Sequence, residues 1–178
     1  MPFTTPATAV AGTALTAAFL NTYVRDNIAW QATDSPACRA YNSSNFSHTT
    51  NANWMAVTLN SERYDNAAIH STSSNTERFT IPSGGGGKYL MGCAGAWDIG
   101  TATGIRVLAM GINGISVFSG AQVIPGSLVA TQTTVTTAYS LIATDYVVMA
   151  GYQTAGGTTS INVQNNYSPE AWVIWFRT

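Results

Sequence analysis

Charge is what this 178-residue chain has least of: seven Lys plus Arg stand against eight Asp plus Glu, 8% of positions, for a formal net charge of −1. An ordinary soluble domain carries about 25% charged residues. With no basic run there is no electrostatic footprint for nucleic acid or an anionic lipid surface. The deficit does not signal disorder, because 46% hydrophobic and 11% aromatic residues are enough to build a core. The two cysteines, Cys38 and Cys93, are too few for a disulfide framework. One bridge between them is geometrically open, and buried free thiols are the favoured reading. The two histidines, His48 and His70, have no converging Cys, His or carboxylate spacing around them, so no metal site is assigned.

Long apolar runs are missing too. Between Arg106 and Asp145 no charge occurs, yet Asn113-Gly114, Ser119-Gly120, Pro125-Gly126 and the run Thr131 to Thr137 interrupt the stretch. A spanning helix needs about 20 consecutive apolar residues, so membrane insertion is not expected. A cleaved signal peptide is disfavoured because no Lys or Arg precedes Arg25, and Pro2, Pro6 and the threonines break any apolar segment. Catalytic patterns are absent as well. No Gly-x-Ser-x-Gly elbow occurs. Ser83-Gly84-Gly85-Gly86-Gly87-Lys88 fails as a phosphate loop, because Pro82 holds the first glycine position and Tyr89 replaces Ser/Thr. The chain is therefore read as a non-enzyme without cofactor.

Thr, Ser and Asn supply the polarity that charge does not, which favours strands and turns. Residues 1–12 are Pro, Thr and Ala without periodicity and read as an extended arm. Residues 13–31 read as one helix: Leu20, Val24 and Ile28 recur at i, i+4, i+8 with Phe19 and Tyr23 beside them, and Thr13 or Thr16 can cap its start. At about 15 residues such a helix is marginal alone, so its apolar stripe needs something to pack on. Residues 32–53 are polar and turn-rich and read as a connector.

From residue 54 onward, short runs rich in Val, Ile, Thr and aromatics are separated by turn signals every 8–12 residues or so, the pattern of a sandwich or barrel. Strands are expected at 54–60, 67–71, 76–81, 88–99, 104–112, 115–124, 128–143, 145–154, 159–164 and 170–177. Asn113-Gly114 between Ile112 and Ile115 is the strongest hairpin signal. Within 159–164, Ile161 and Val163 alternate with Ser160, Asn162 and Gln164, as one wet face requires. Three other strands, 104–112, 145–154 and 170–177, are apolar on both faces. Their second face needs a cover, which predicts a homo-oligomer. Ile105, Val107, Leu108, Met110, Tyr146, Val148, Trp172, Ile174, Trp175 and Phe176 are the expected interface residues.

Several motifs carry a family resemblance. Arg78-Phe79-Thr80-Ile81-Pro82, the glycine turn and Gly87-Lys88-Tyr89-Leu90-Met91-Gly92-Cys93 resemble an F-x-hydrophobic-P-x-x-G-x-Y signature. Ile112-Asn113-Gly114, Leu141 to Val147, and Tyr167-Ser168 with a terminal apolar strand follow in order. Together they resemble the C1q/TNF-like jelly roll over residues 54–178. The resemblance implies an all-β, antiparallel, ten-stranded sandwich that forms compact trimers. It also identifies the three double-faced strands with the C, F and H strands of the inner, trimer-facing sheet. Two departures are plain: the family's Gly-Asp is Thr144-Asp145 here, and its aromatic F-x-G is replaced by Tyr167-Ser168-Pro169-Glu170. No calcium-binding Asp pair carries over.

At the other end, Leu15-Thr16-Ala17-Ala18-Phe19-Leu20-Asn21-Thr22-Tyr23-Val24-Arg25-Asp26-Asn27-Ile28 resembles an LTAAxxNxYVRDN segment of tailed-bacteriophage virion proteins. The resemblance implies an anchoring or trimerising helix, with Phe19, Leu20, Tyr23, Val24 and Ile28 as its contact residues and other virion proteins as partners. The implied function is a trimeric tail-fibre, tail-tip or spike component exposed on the particle and contacting a host-surface glycan or protein. A capsid decoration or head fibre is the alternative, and a glycan-active enzyme the remote one. Two loops have the aromatic and amide groups that sugars require: Tyr64-Asp65-Asn66 and Asn165-Asn166-Tyr167. Ordinary turn chemistry explains the same residues.

Overall fold

The computed structural model describes residues 4–98, 103–125, 130–164 and 167–177. One helical run spans 17–34, made of α1 (Ala17–Leu20), a π-helical segment (Asn21–Arg25), α2 (Asp26–Ala29) and a second π-helical segment (Trp30–Asp34). It begins where the sequence allows: the Thr16 hydroxyl accepts the Phe19 N–H at 3.1 Å, capping an otherwise orphaned donor. The arm folds back on this run. Asn27, itself buried, accepts from the Thr4 N–H at 2.9 Å and donates to the Thr4 carbonyl at 2.7 Å. At the far end Trp30, 4% exposed, meets Trp175 edge to face with ring centroids 4.4 Å apart.

Twelve strands follow among the described residues: β1 (Ala37–Tyr41), β2 (Phe46–His48), β3 (Trp54–Ala56), β4 (Ser61–Asp65), β5 (Arg78–Thr80), β6 (Gly87–Trp97), β7 (Arg106–Ile112), β8 (Ser116–Val123), β9 (Thr131–Leu141), β10 (Tyr146–Gln153), β11 (Thr159–Asn162) and β12 (Glu170–Arg177). They form two antiparallel sheets. The seven-stranded sheet runs β2–β11–β6–β12–β1–β4, with β9 on the other edge of β6. The five-stranded sheet runs β3–β10–β7–β8, with β5 also on β10. The sheets close on each other through alternate residues: Tyr89, Met91, Cys93 and Trp97 of β6 face Leu108 and Met110 of β7 and Val147 and Met149 of β10, all fully buried. Each such side chain contributes about 1.5–3 kcal/mol by leaving water.

Several boundaries differ from the sequence expectation, the helical run of 17–34 against the expected 13–31 among them. The segment read as connector supplies β1 and β2, which pair with β12 and β11, so the sandwich begins at Ala37. β4 was not anticipated, and 67–71 forms no strand because the Asp65 carboxylate takes the Ala67, Ile69 and His70 N–H groups at 2.8–3.1 Å. Positions 99 and 128–129 of two expected strands lie outside the described residues.

Cys38 and Cys93 are buried and unbridged. Cys38 pairs with Val173 and Cys93 with Ala171 on opposite sides of β12, so their strands are not neighbours. Burial, with Asp65 and Glu62 nearby, pushes the Cys38 thiol far up. Burial alone pushes Cys93 up to about 12, so neither is a reactive thiolate.

The Asn113-Gly114 hairpin joins β7 to β8, with φ of 48° and 117°. Its other role was not legible: Asn113 bonds the next turn, donating to Asp145 Oδ1 at 2.9 Å and accepting the Tyr146 N–H at 3.0 Å. Asp145 Oδ2 in turn accepts the Ile142 N–H at 2.9 Å. Between them Thr144 holds φ of 75°, a left-handed conformation that a β-branched residue resists. The family resemblance places glycine at this position. Thr144→Gly is therefore expected to raise unfolding stability by about 1 kcal/mol in denaturant titration, since relief of the strain outweighs glycine's extra chain entropy.

Candidate interaction surface

The outward face of the seven-stranded sheet is laid out in rows by its register. One row reads Ala138, Leu90, Ile174, Ala37; the next Thr136, Gly92, Trp172, Arg39, Tyr64; the third Thr134, Ala94, Glu170, Tyr41, Ser61. Leu90 and Phe176 are 41% and 47% exposed, and Thr134, Thr136 and Ala138 are also solvent-facing. Gly92 is required here, because a Cβ would lie 2.2 Å from the Val135 carbonyl and 2.6 Å from the Trp172 ring. The missing side chain leaves room for the Trp172 indole beside β6, so the face is low and largely apolar there.

Lys88, exposed two positions before Leu90 on the same side of β6, carries one charge of this face, and Arg39, Arg63 and Glu170 form a knot. Arg39 donates through Nε and Nη2 to both oxygens of Glu170, and Arg63 Nε donates to Glu170 Oε2 at 2.9 Å. The guanidinium of Arg63 lies 4.8 Å over the Tyr41 ring, and that of Arg39 5.8 Å from the Trp172 ring. Burial acts to raise the Glu170 carboxyl, but the bonds from Arg39 and Arg63 outweigh it and hold the group below its ordinary value.

Where the seven-stranded sheet meets the β11–β12 connection there is a cleft of about 140 Å³, lined by Ala94, Gln132, Thr134, Tyr167, Ser168 and Glu170 among others. Tyr167 is 53% exposed at its rim. Asn165 and Asn166 lie outside the described residues. The other sugar-type loop is occupied with holding the fold: Asn66 accepts the Ala37 N–H at 2.8 Å and donates to the Ser35 carbonyl at 2.9 Å, and Asp65 caps the turn after it. Tyr64 is 43% exposed beside them.

The expected interface residues divide. Trp172, Ile174 and Phe176 belong to the outward face just described. Trp175 points inward, against the core and Trp30. Leu108 and Met110 are fully buried in the protomer's own core, and Val148 is 2% exposed, so none of the three is free to meet a partner. Val107, Tyr146 and Val148 are in β7 and β10, and Ile105 just before β7; both strands lie in the five-stranded sheet, not beside β12. The equation of all three double-faced strands with one sheet therefore fails. The reason is side-chain size. The outward row across β3, β10, β7 and β8 is Ala56, Ala150, Ala109, Gly120. Such small groups hide between neighbours, as the Trp54–Tyr152 ring pair at 5.2 Å and Arg78 4.4 Å over Tyr146 illustrate.

In the helical run, Leu20, Val24 and Ile28 are 45%, 46% and 62% exposed, while Phe19 and Tyr23 pack ring to ring at 4.9 Å. Both histidines are held inside the body. His48 Nε2 donates to the Gly151 carbonyl at 2.9 Å, and the His70 ring lies between Glu62 Oε1 at 2.9 Å and the Thr76 carbonyl at 3.0 Å. No cluster of three metal-ligating side chains exists among the described residues. Arg39, Arg63 and Gly92 were missed as site residues. For Gly92 the signal was alternation within β6; for the arginines there was none, since their partner Glu170 is 131 and 107 positions away.

A depressed carboxyl adds stability above its unfolded value, about pH 4, and that stability is lost as the pH falls through the folded value. Acid titration of unfolding should therefore show a loss below about pH 4 that Glu170→Gln largely abolishes, with the variant less stable than wild type at neutral pH.

No family model matches the chain, and no curated protein matches it. Solved structures do. Murine APRIL at pH 8.5 superposes with a TM-score of 0.57 at 6% identity, covering 79% of this chain and 98% of that one. APRIL at pH 5.0 gives 0.54 at 8% identity over 78% and 98%. The globular domain of zebrafish complement 1qA gives 0.51 at 15% identity over 80% and 99%. With the two antiparallel sheets and their order, these likenesses establish the fold as an all-β C1q/TNF-like jelly roll, preceded by an arm and a short helical run.

Proposed function

We propose that this chain is a non-enzymatic structural and binding module that acts as a homotrimer through the outward face of its seven-stranded sheet. It is carried in a bacteriophage virion as a tail-fibre, tail-tip or spike component, exposed on the particle and in contact with the host surface. The observation that carries the self-association is the row Ala138, Leu90, Ile174 with exposed Phe176 beside it, an apolar strip across three strands bordered by one exposed cation, Lys88. The resemblance of residues 15–28 to a virion segment, and the exposed stripe Leu20, Val24, Ile28, support the helical run as the anchor to the particle. Three copies then present three identical loop ends, and weak contacts gain avidity. A capsid decoration or head fibre would use the same anchor without a ligand; the cleft at Tyr167 favours host contact.

Light scattering of the purified chain is expected to give three times 18.8 kDa, and Leu90→Asp, which places a carboxylate in the apolar row, a folded 18.8 kDa monomer. A wild-type monomer would sink the reading. Deleting residues 1–29, which spares Trp30 and its contact with Trp175, should leave a soluble trimer absent from purified particles. Particles that still carry the truncated chain would show that the helix is not the anchor.

A further inference from the structure

We propose that the cleft between β6, β9 and the β11–β12 connection binds a single uncharged sugar ring. The assignment rests on the host-contact reading above and gives it a site. The wall chemistry selects by elimination. The one ionised group in the wall, Glu170, has both oxygens bonded by Arg39 and Arg63, so the wall offers an ionic ligand no free partner. A neutral ligand remains, and the other lining groups suit one. The Gln132 amide and the Thr134 and Ser168 hydroxyls each both donate and accept, as neighbouring sugar hydroxyls demand. Ala94 gives the cleft an apolar side, and the Tyr167 ring, 53% exposed, offers the flat surface on which the C–H face of a pyranose stacks.

Size and position agree. Drug-sized ligands occupy pockets of about 300–1,000 Å³, whereas this cleft measures about 140 Å³ and so takes one ring with the rest of a glycan outside. Ala94 stands four residues along β6 from Leu90, about 13 Å at the rise of a strand, so the cleft lies at the margin of the self-association face. Each trimer would carry three such sites, enough for weak single-ring affinity to become firm attachment.

The test is saturation-transfer NMR on the full-length chain with glucose, galactose, mannose and N-acetylglucosamine, alongside glucuronic acid and glucosamine as charged counterparts. Light scattering is recorded on every sample. At least one neutral sugar is expected to bind in the millimolar range and more tightly than either charged analogue. Tyr167→Ala and Gln132→Ala should each weaken it about tenfold while the oligomer stays intact. Binding of no neutral sugar, tighter binding of a charged analogue, or unchanged binding in both variants overturns the proposal. Dissociation of the oligomer by Tyr167→Ala also overturns it, because the cleft would then be a contact between copies. A wild-type monomer that still binds neutral sugar through Tyr167 would leave this site standing and the trimer reading fallen.

Discussion

The alternation of β6 sets both halves of this molecule. Its odd positions, Tyr89, Met91, Cys93 and Trp97, are fully buried and fill the space between the sheets. Its even positions, Leu90, Gly92 and Ala94, lie at the centre of the outward face and fix where Ile174, Trp172 and Glu170 of β12 stand beside them. Because a strand's side-chain period is two, a slip of one residue would bury Leu90 and expose Tyr89, losing core and surface together. Pairing with β9 along its whole length and with β11 and β12 on the other edge is what prevents that slip. The fold and the proposed interface are therefore one constraint seen from two sides, and Gly92 marks the point where they meet. A methyl group there would collide with the β9 backbone on one side and with the Trp172 ring on the other.

Much of the sandwich was legible for the reason that β6 works: long strands advertise themselves by period and by turn chemistry. β7, β8, β10 and β12 fall within two residues of expectation, and Asn113-Gly114 turns where its backbone preference says it must. What failed was the inference from an apolar face to a covered face. Ala109, Ala150 and Gly111 count as apolar in sequence, yet they need no partner subunit, because groups that short are shielded by the larger side chains around them. Leu, Ile, Trp and Phe do project, and they do so on the outward face of β12 and β6. Short strands were invisible for another reason. β1 reads Ala-Cys-Arg-Ala-Tyr, with Arg39 and Tyr41 facing outward and Cys38 and Ala40 inward, and so little side-chain volume is buried that the period is lost among turn residues.

The candidate site was the least legible part, since it joins residues that are remote in the chain. Arg39, Arg63 and Glu170 meet only because β1 lies between β4 and β12. Of the two loops with sugar-type composition, one is consumed by the fold: Asp65 and Asn66 satisfy backbone groups that would otherwise be unpaired in the turn after β4. The other places Tyr167 beside Gln132 and Thr134 of β9, residues more than thirty positions upstream in a threonine-rich run with no motif of its own.

The scarcity of charge now has a physical account. Most of the chain's few charged side chains are engaged within it: Arg39 and Arg63 with Glu170, Glu62 with the His70 ring, Arg78 with Glu77, Arg25 with Asp26, and Asp65 and Asp145 in turns. Of the exposed positions Arg25, Glu62, Arg63 and Lys88 carry charge, while Thr134, Thr136 and their neighbours dress β9 without it. A surface of that kind gains little from electrostatic steering, so its encounters are set by diffusion and orientation, and salt changes them little. Hydroxyl and amide groups are also cheaper to desolvate than ions when a face is covered. The proposed association of copies and the proposed neutral ligand are both served by such a surface, since neither asks for a field and both are penalised by unpaired charge.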